Sequence, residues 1–181
     1  MKRLKNKIIV FKDYPDFRPN LSPKEVFQLG SFGGTYYRPI KSNITNKKYK
    51  DQHLEYPKNW FNKLDIETQV CSSVCNSKLN FYKVKSGQSL RAWEEAGWIE
   101  PQDPYGWFQW YCRFYNGRRD KDDERQIKRW MGVCGPKGRW KNRLINMIND
   151  KKTHVNDFTV SPVIRQLLQH WGYRITSKDL K

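Results

Sequence analysis

The sequence predicts an α+β domain that is mainly α: about five or six short helices, a small β-hairpin and a basic N-terminal arm. Three observations lead there. Three helix starts share one device, a capping residue followed by proline, at Ser22-Pro23, Asp103-Pro104 and Ser161-Pro162. Residues 104–149 carry apolar side chains at helical spacing. Between the first two helix starts, Lys41 to Lys48 (KSNITNKK) reads as a polar turn between two short strands.

In chain order, residues 1–20 form the basic arm. MKRLKNKIIVF is basic, then briefly apolar, and leads into a short strand. A single α-rich domain is expected over 21–175, followed by a tail at 176–181. Ser22-Pro23 opens the first helix, with Glu25 placed to close a capping box and Gly30 to end it. Phe32 to Arg38 reads as a glycine turn entering a strand, and YKDQHLEY, beginning at Tyr49, as the returning strand. Leu64 to Leu79 is weakly patterned and reads as a surface loop. Ser89 to Trp98 (SLRAWEEAGW) is a short helix ended at Gly97.

Asp103-Pro104 then opens an aromatic helix ending near Gly117. Trp107, Trp110, Tyr111 and Phe114 form one stripe, and Phe108, Cys112 and Tyr115 a neighbouring one. A helix apolar on most of its circumference is buried. Its polar seam is Gly106, Gln109, Arg113 and Asn116, so these tryptophans read as core and Arg113 as a satisfied ion. Helices over 122–131 and 137–149 follow, joined by Gly132 to Gly138, a turn expected to be of Schellman type. Its G-V-C-G-P-K-G sequence is also similar to the hairpin of the helix-hairpin-helix family, in which backbone N–H groups grip a DNA phosphate. Here Cys134 stands between the usual glycines. Ser161-Pro162 opens the last helix, which Gly172 ends.

Charge carries the functional expectation. The chain has 35 Lys+Arg against 18 Asp+Glu, a formal net charge of +17, with 15% aromatic residues and a mean hydropathy of −0.95. Such a protein attracts polyanions, and cations interleaved with flat rings suit nucleic acid. The candidate phosphate contacts are Arg113, Arg118, Arg119, Arg125, Arg129, Lys137, Arg139, Lys141 and Arg143. Arg125 and Arg129 are four apart, as are Lys137 and Lys141, and Arg139 and Arg143. Like charges at that spacing cost an isolated helix roughly 0.2–0.5 kcal/mol per pair, which an external polyanion would relieve. The expected function is therefore largely sequence-nonspecific nucleic-acid binding, to DNA or RNA, and non-catalytic.

Two alternatives stand beside it. One is an enzyme acting on nucleic acid, with Arg113 and Asp103 or Asp123 in a pocket lined by Trp107 and Trp110. The other is a structural component of a viral or nucleoprotein assembly, meeting an acidic protein partner. No metal or cofactor is expected. Asp120, Asp122, Asp123 and Glu124 cluster, but at a predicted helix start where acids complement the dipole. His53, His154 and His170 lie far apart, and Gly33-Gly34 lacks a P-loop pattern. Cys71, Cys75, Cys112 and Cys134 lack the spacing of a four-thiolate zinc site and read as free thiols in a reducing, intracellular compartment: nucleus, cytoplasm, or viral factory or virion. A Cys71–Cys75 disulfide or a mixed site with His is the minor alternative. No apolar run approaches membrane-spanning length, and the first residues lack the apolar stretch of a signal peptide.

Taken together, FGGTYYRPI, DPYGWFQWYCRFYNGRRDKDDERQIKRW, GPKGRW and SPVIRQLLQHWGY resemble an uncharacterised protein family of fungi, protists and large (giant) DNA viruses. The resemblance covers roughly residues 30–173. It implies one intact domain and no particular mechanism.

Overall fold

A computed structural model describes residues 1–180. Its α-helices are α1 (Pro23–Gln28), α2 (Ile66–Gln69), α3 (Leu90–Glu95), α4 (Trp107–Tyr115), α5 (Asp123–Cys134), α6 (Arg139–Asp150) and α7 (Pro162–His170). Four two-residue strands form two antiparallel hairpins: β1 (Lys2–Arg3) with β2 (Ile9–Val10), and β3 (Ile40–Lys41) with β4 (Lys48–Tyr49). The fold is the expected one: mainly helical, compact and in one piece. The β3–β4 hairpin is the predicted one, although Gln52–Glu55 within its predicted return is a 3-10 turn.

The first helix follows its sequence signals closely. The Ser22 hydroxyl accepts from the Glu25 N–H at 3.3 Å, and the Ser22 N–H donates to Glu25 Oε2 at 2.8 Å. Losing the serine oxygen would cost about 1 kcal/mol. The second proline start shifts. α4 begins at Trp107, three residues after Pro104, because Gly106 adopts φ 86° and the Tyr105 N–H is taken by Gln109 Oε1 at 3.0 Å. A Cβ at Gly106 would also lie 2.8 Å from the Ile99 side chain. Asp103 therefore caps nothing and is free to pair with arginines. Ser161 likewise makes no side-chain cap; α7 starts at Pro162 as predicted, while Arg165 donates to the carbonyls of Val160, Val155 and Asp157 in the preceding loop.

The turn between α5 and α6 is not of Schellman type. Gly135 has φ −64°, not a left-handed value, and its N–H donates to the Met131 carbonyl at 3.1 Å. Its neighbour Gly138 is required by packing: a Cβ there would lie 2.6 Å from the Val133 carbonyl.

Aromatic rings supply the core, as the scarcity of aliphatics implies. Phe17 sits at its centre, fully buried, with ring centroids of Phe11, Trp110, Tyr111, Phe114 and Trp130 at 5.2–5.7 Å. Edge-to-face geometry dominates these contacts, as ring quadrupoles favour. Buried indoles keep partners: Trp110 donates to Asp123 Oδ1 at 2.8 Å, Trp107 to the Gln126 carbonyl at 3.2 Å, and Trp130 to the Trp171 carbonyl at 2.9 Å. These three bonds tie α4 and α5 together and anchor α5 to the end of α7.

Three expectations are corrected here. Residues 1–20 are not an arm outside the domain, because Ile9, Phe11 and Phe17 are buried core residues and the Phe11 and Phe17 rings pack against the aromatic helix. The tail at 176–181 packs back through Asp179, which accepts from Tyr173 at 2.6 Å and pairs with Lys141; its last residue, Lys181, lies outside the described residues. The 64–79 segment is more than a surface loop, since it holds α2 and places Val70 at zero exposure.

Candidate nucleic-acid interface

The nine candidate cations separate into two groups by whether a carboxylate reaches them. Asp103 organises the first group. It is buried at 1% exposure, accepts a two-pronged bond from Arg118 at 2.9 and 2.6 Å, and accepts from Arg113 at 3.0 Å. Arg113 also clamps Glu55 with two bonds, at 2.7 and 2.6 Å, and donates to the Gln102 carbonyl. Burial works against the Arg113 charge, but the carboxylates outweigh it and hold its pKa above the ordinary arginine value. At Asp103 burial outweighs the two arginines and pushes its carboxyl above the ordinary value, so the cost lies in removing one partner and leaving the others buried and uncompensated.

Arg119 pairs with Asp13 and lies 3.9 Å over the Phe114 ring. Arg125 bonds Asp122 at 2.5 Å and approaches Glu100 at 3.5 Å. Lys141 reaches Asp179 at 3.4 Å. The acid missing from α6 itself is thus supplied to Lys141 by the C-terminal turn. Five of the nine candidates are therefore ion-paired within the protein.

The acid cluster is committed in the same way. Asp123 accepts from the Trp110 indole and the Asp120 N–H, and Asp122 from Arg125 and Gln126. Among the described residues no group of three or more His, Cys, Asp or Glu side chains is arranged to hold a metal ion. Asp103 and Arg113 bond each other, and Trp110 is fully buried, so these residues do not line an open pocket. All four cysteines are free thiols; Cys71 Sγ lies 3.3 Å from His53 Nδ1.

Arg129, Lys137, Arg139 and Arg143 have no carboxylate within 4.0 Å among the described residues. Arg139 and Arg143 lie on one exposed face of α6, and Lys137 lies in the exposed turn that opens it. No side chain caps the α6 N-terminus. The first-turn N–H groups therefore add positive potential beside Arg139. Arg129 is different. Its guanidinium lies 5.7 Å from the Trp98 ring and 5.6 Å from the Trp171 ring, bonded only to Gln126 Oε1 and the Trp98 carbonyl. Burial, with Arg125 nearby, pulls its pKa down to about 10, so it stays charged at neutral pH.

Arg129 opens into a cleft of about 540 Å³ bounded by α3, α4, α5, α6 and α7. Five of the eight tryptophans line it: Trp93, Trp98, Trp107, Trp140 and Trp171. Trp98 is 43% exposed at the mouth, whereas Trp107 is 7% exposed and forms part of the floor. Arg139 lies 5.2 Å from the centre of the Trp140 ring, so the cationic first turn of α6 borders one side of the cleft. A second, more polar lobe of about 290 Å³ continues from it past Phe32 and His170, and reaches Arg38 and Lys85. His170 stacks on Phe32 at 4.2 Å, and burial pushes its imidazole down to about 3. It is therefore neutral at physiological pH.

Sequence reasoning located Arg129 and Arg139 but missed the cleft between them. Its tryptophans come from α3 and the residues after it, from the first turns of α4 and α6, and from the end of α7; the available signal was indoles placed beside helix-ending glycines, Trp98 after Gly97 and Trp171 before Gly172. Among the described residues, no helix is long and apolar enough to cross a membrane. Comparison with known proteins returns no matching family model, no matching curated protein and no matching solved structure.

Proposed function

We propose that the protein binds nucleic acid, largely without sequence specificity, through phosphate contacts from the unpaired cations Arg129, Lys137, Arg139 and Arg143. The observation that carries this reading is their lack of internal compensation: four cations on α5, the turn after it and the first turns of α6 have no carboxylate within 4.0 Å among the described residues, while five of the other candidates do. Unpaired surface cations are cheap individually, but a cluster beside an uncapped helix N-terminus raises the local positive potential that a phosphate backbone satisfies. The overall charge of +17 adds attraction at long range.

The test is binding of a fluorescent single-stranded 20-mer and of its duplex at 50 and 200 mM salt. With about four phosphate contacts, affinity should fall roughly 50- to 150-fold over that range. Affinity unchanged by salt, or no binding at 50 mM, would overturn the reading.

A further inference from the structure

We propose that the tryptophan cleft receives one unstacked base of a single-stranded nucleic acid, with its adjoining phosphate held at Arg129. This rests on the nucleic-acid reading above and narrows it to single strands.

Shape and charge carry the inference together. At about 540 Å³ the main lobe is within the size range of small-ligand sites. Its lining is dominated by indoles, and flat rings are what a base stacks on in any sequence. Aromatic boxes also bind methylated ammonium groups, but the charge here has the wrong sign for a cation. No carboxylate lines either lobe among the described residues, whereas Arg129 borders the first and Arg38 and Lys85 the second. Arg129 is held between two indoles with no acid to neutralise it. An arginine so placed offers a phosphate two N–H groups beside a stacked base.

The rim extends the same logic. Arg139 covers Trp140, so the phosphates flanking an inserted base would meet the α5–α6 turn on one side. On the other side the continuous polar lobe provides Lys85 and the Ser86, Gln88 and Ser89 side chains for the next nucleotide. A duplex cannot offer a base to such a cleft without unpairing it, so selectivity for single strands follows.

The experiment uses the full chain and four probes: a mixed-sequence single-stranded 12-mer, its duplex, an all-abasic 12-mer, and a free mononucleotide. Affinity and tryptophan fluorescence are read together. The single strand should bind about ten- to a hundredfold tighter than the duplex or the abasic strand, with quenched fluorescence. Trp98→Ala, at an exposed position, should bring the single strand down to the level of the abasic strand, and Arg129→Gln should lower it further. Equal affinity for single strand, duplex and abasic strand, with no effect of Trp98→Ala, would overturn the cleft proposal and leave phosphate binding standing. Binding and quenching by the free mononucleotide alone, without oligonucleotide binding, would overturn both the cleft proposal and the broader reading. No binding of any probe would do the same.

Discussion

Arg125 and Arg129 lie one helical turn apart on α5, yet their surroundings are opposite. Arg125 is held by Asp122 at the N-terminal end of its own helix and by Glu100 from the loop between α3 and α4. Arg129 meets two tryptophans and no acid. The same contrast divides the nine candidate cations: Arg113, Arg118, Arg119, Arg125 and Lys141 are ion-paired within the protein, while Arg129, Lys137, Arg139 and Arg143 face outward or into the cleft. A basic run in sequence is therefore not a binding surface until the carboxylates from elsewhere in the chain have been assigned.

The largest expected effect tests the scaffold half. Asp103→Ala would leave Arg113 and Arg118 without their shared buried carboxylate, and breaking such a pair typically costs about 3–5 kcal/mol. Denaturant unfolding would report the loss, and a stability unchanged within about 1 kcal/mol would show that Asp103 is not the organising charge.

Next in size, charge reversal at Lys137, Arg139 and Arg143 together should weaken single-strand binding by a hundredfold or more, about 2.7 kcal/mol. Their side chains are exposed, so the thermal midpoint should stay within a few degrees of the parent. A large drop in midpoint would move these residues into the scaffold group and blur the comparison.

A third test uses pH. The His170 pKa is lowered by burial to about 3, below its ordinary value of about 6.5. Between those values the unfolded chain takes up a proton that the native form excludes, so the contribution of this residue is full above pH 6.5 and declines as pH falls toward 3. The stability of the parent should drop between pH 7 and pH 5, and His170→Gln should remove one proton from that dependence. Identical pH profiles would mean that the cleft wall at His170 is open to water.

The smallest effect belongs to Asp13→Asn. Arg119 and the Asp13 side chain are partly exposed, at 35% and 47%, and pairs of this kind contribute about 0–1 kcal/mol. A larger loss would show that the Arg119–Phe114 stack depends on this carboxylate.

What the sequence revealed was local, and what it concealed came from a distance. The capping box at Ser22 and Glu25 spans three residues and formed as read. The helical periods of α5 and α6 were equally visible, because each face is written within one helix. The partners of the arginines were not: Glu55 lies 58 residues from Arg113, and Asp13 lies 106 from Arg119. Gly106, whose positive φ delays α4, sits where a Cβ would meet Ile99, a packing constraint that no cap motif encodes. The cleft is assembled from α3 and the residues after it, from α4, α5 and α6, and from the end of α7, so none of those segments alone resembles a site.

The division between paired and unpaired cations is tested most directly by two double variants that remove the same charge. One is Arg119→Gln with Arg125→Gln, and the other is Arg139→Gln with Arg143→Gln. Binding of the single-stranded 20-mer is followed across salt for each. The Arg139 and Arg143 variant should lose about tenfold or more in affinity and flatten the log–log salt slope by about 1.4, as two lost phosphate contacts require, while the Arg119 and Arg125 variant stays within about twofold of the parent. Equal losses in both, or a greater loss in the ion-paired variant, would contradict the assignment of phosphate binding to the unpaired cations.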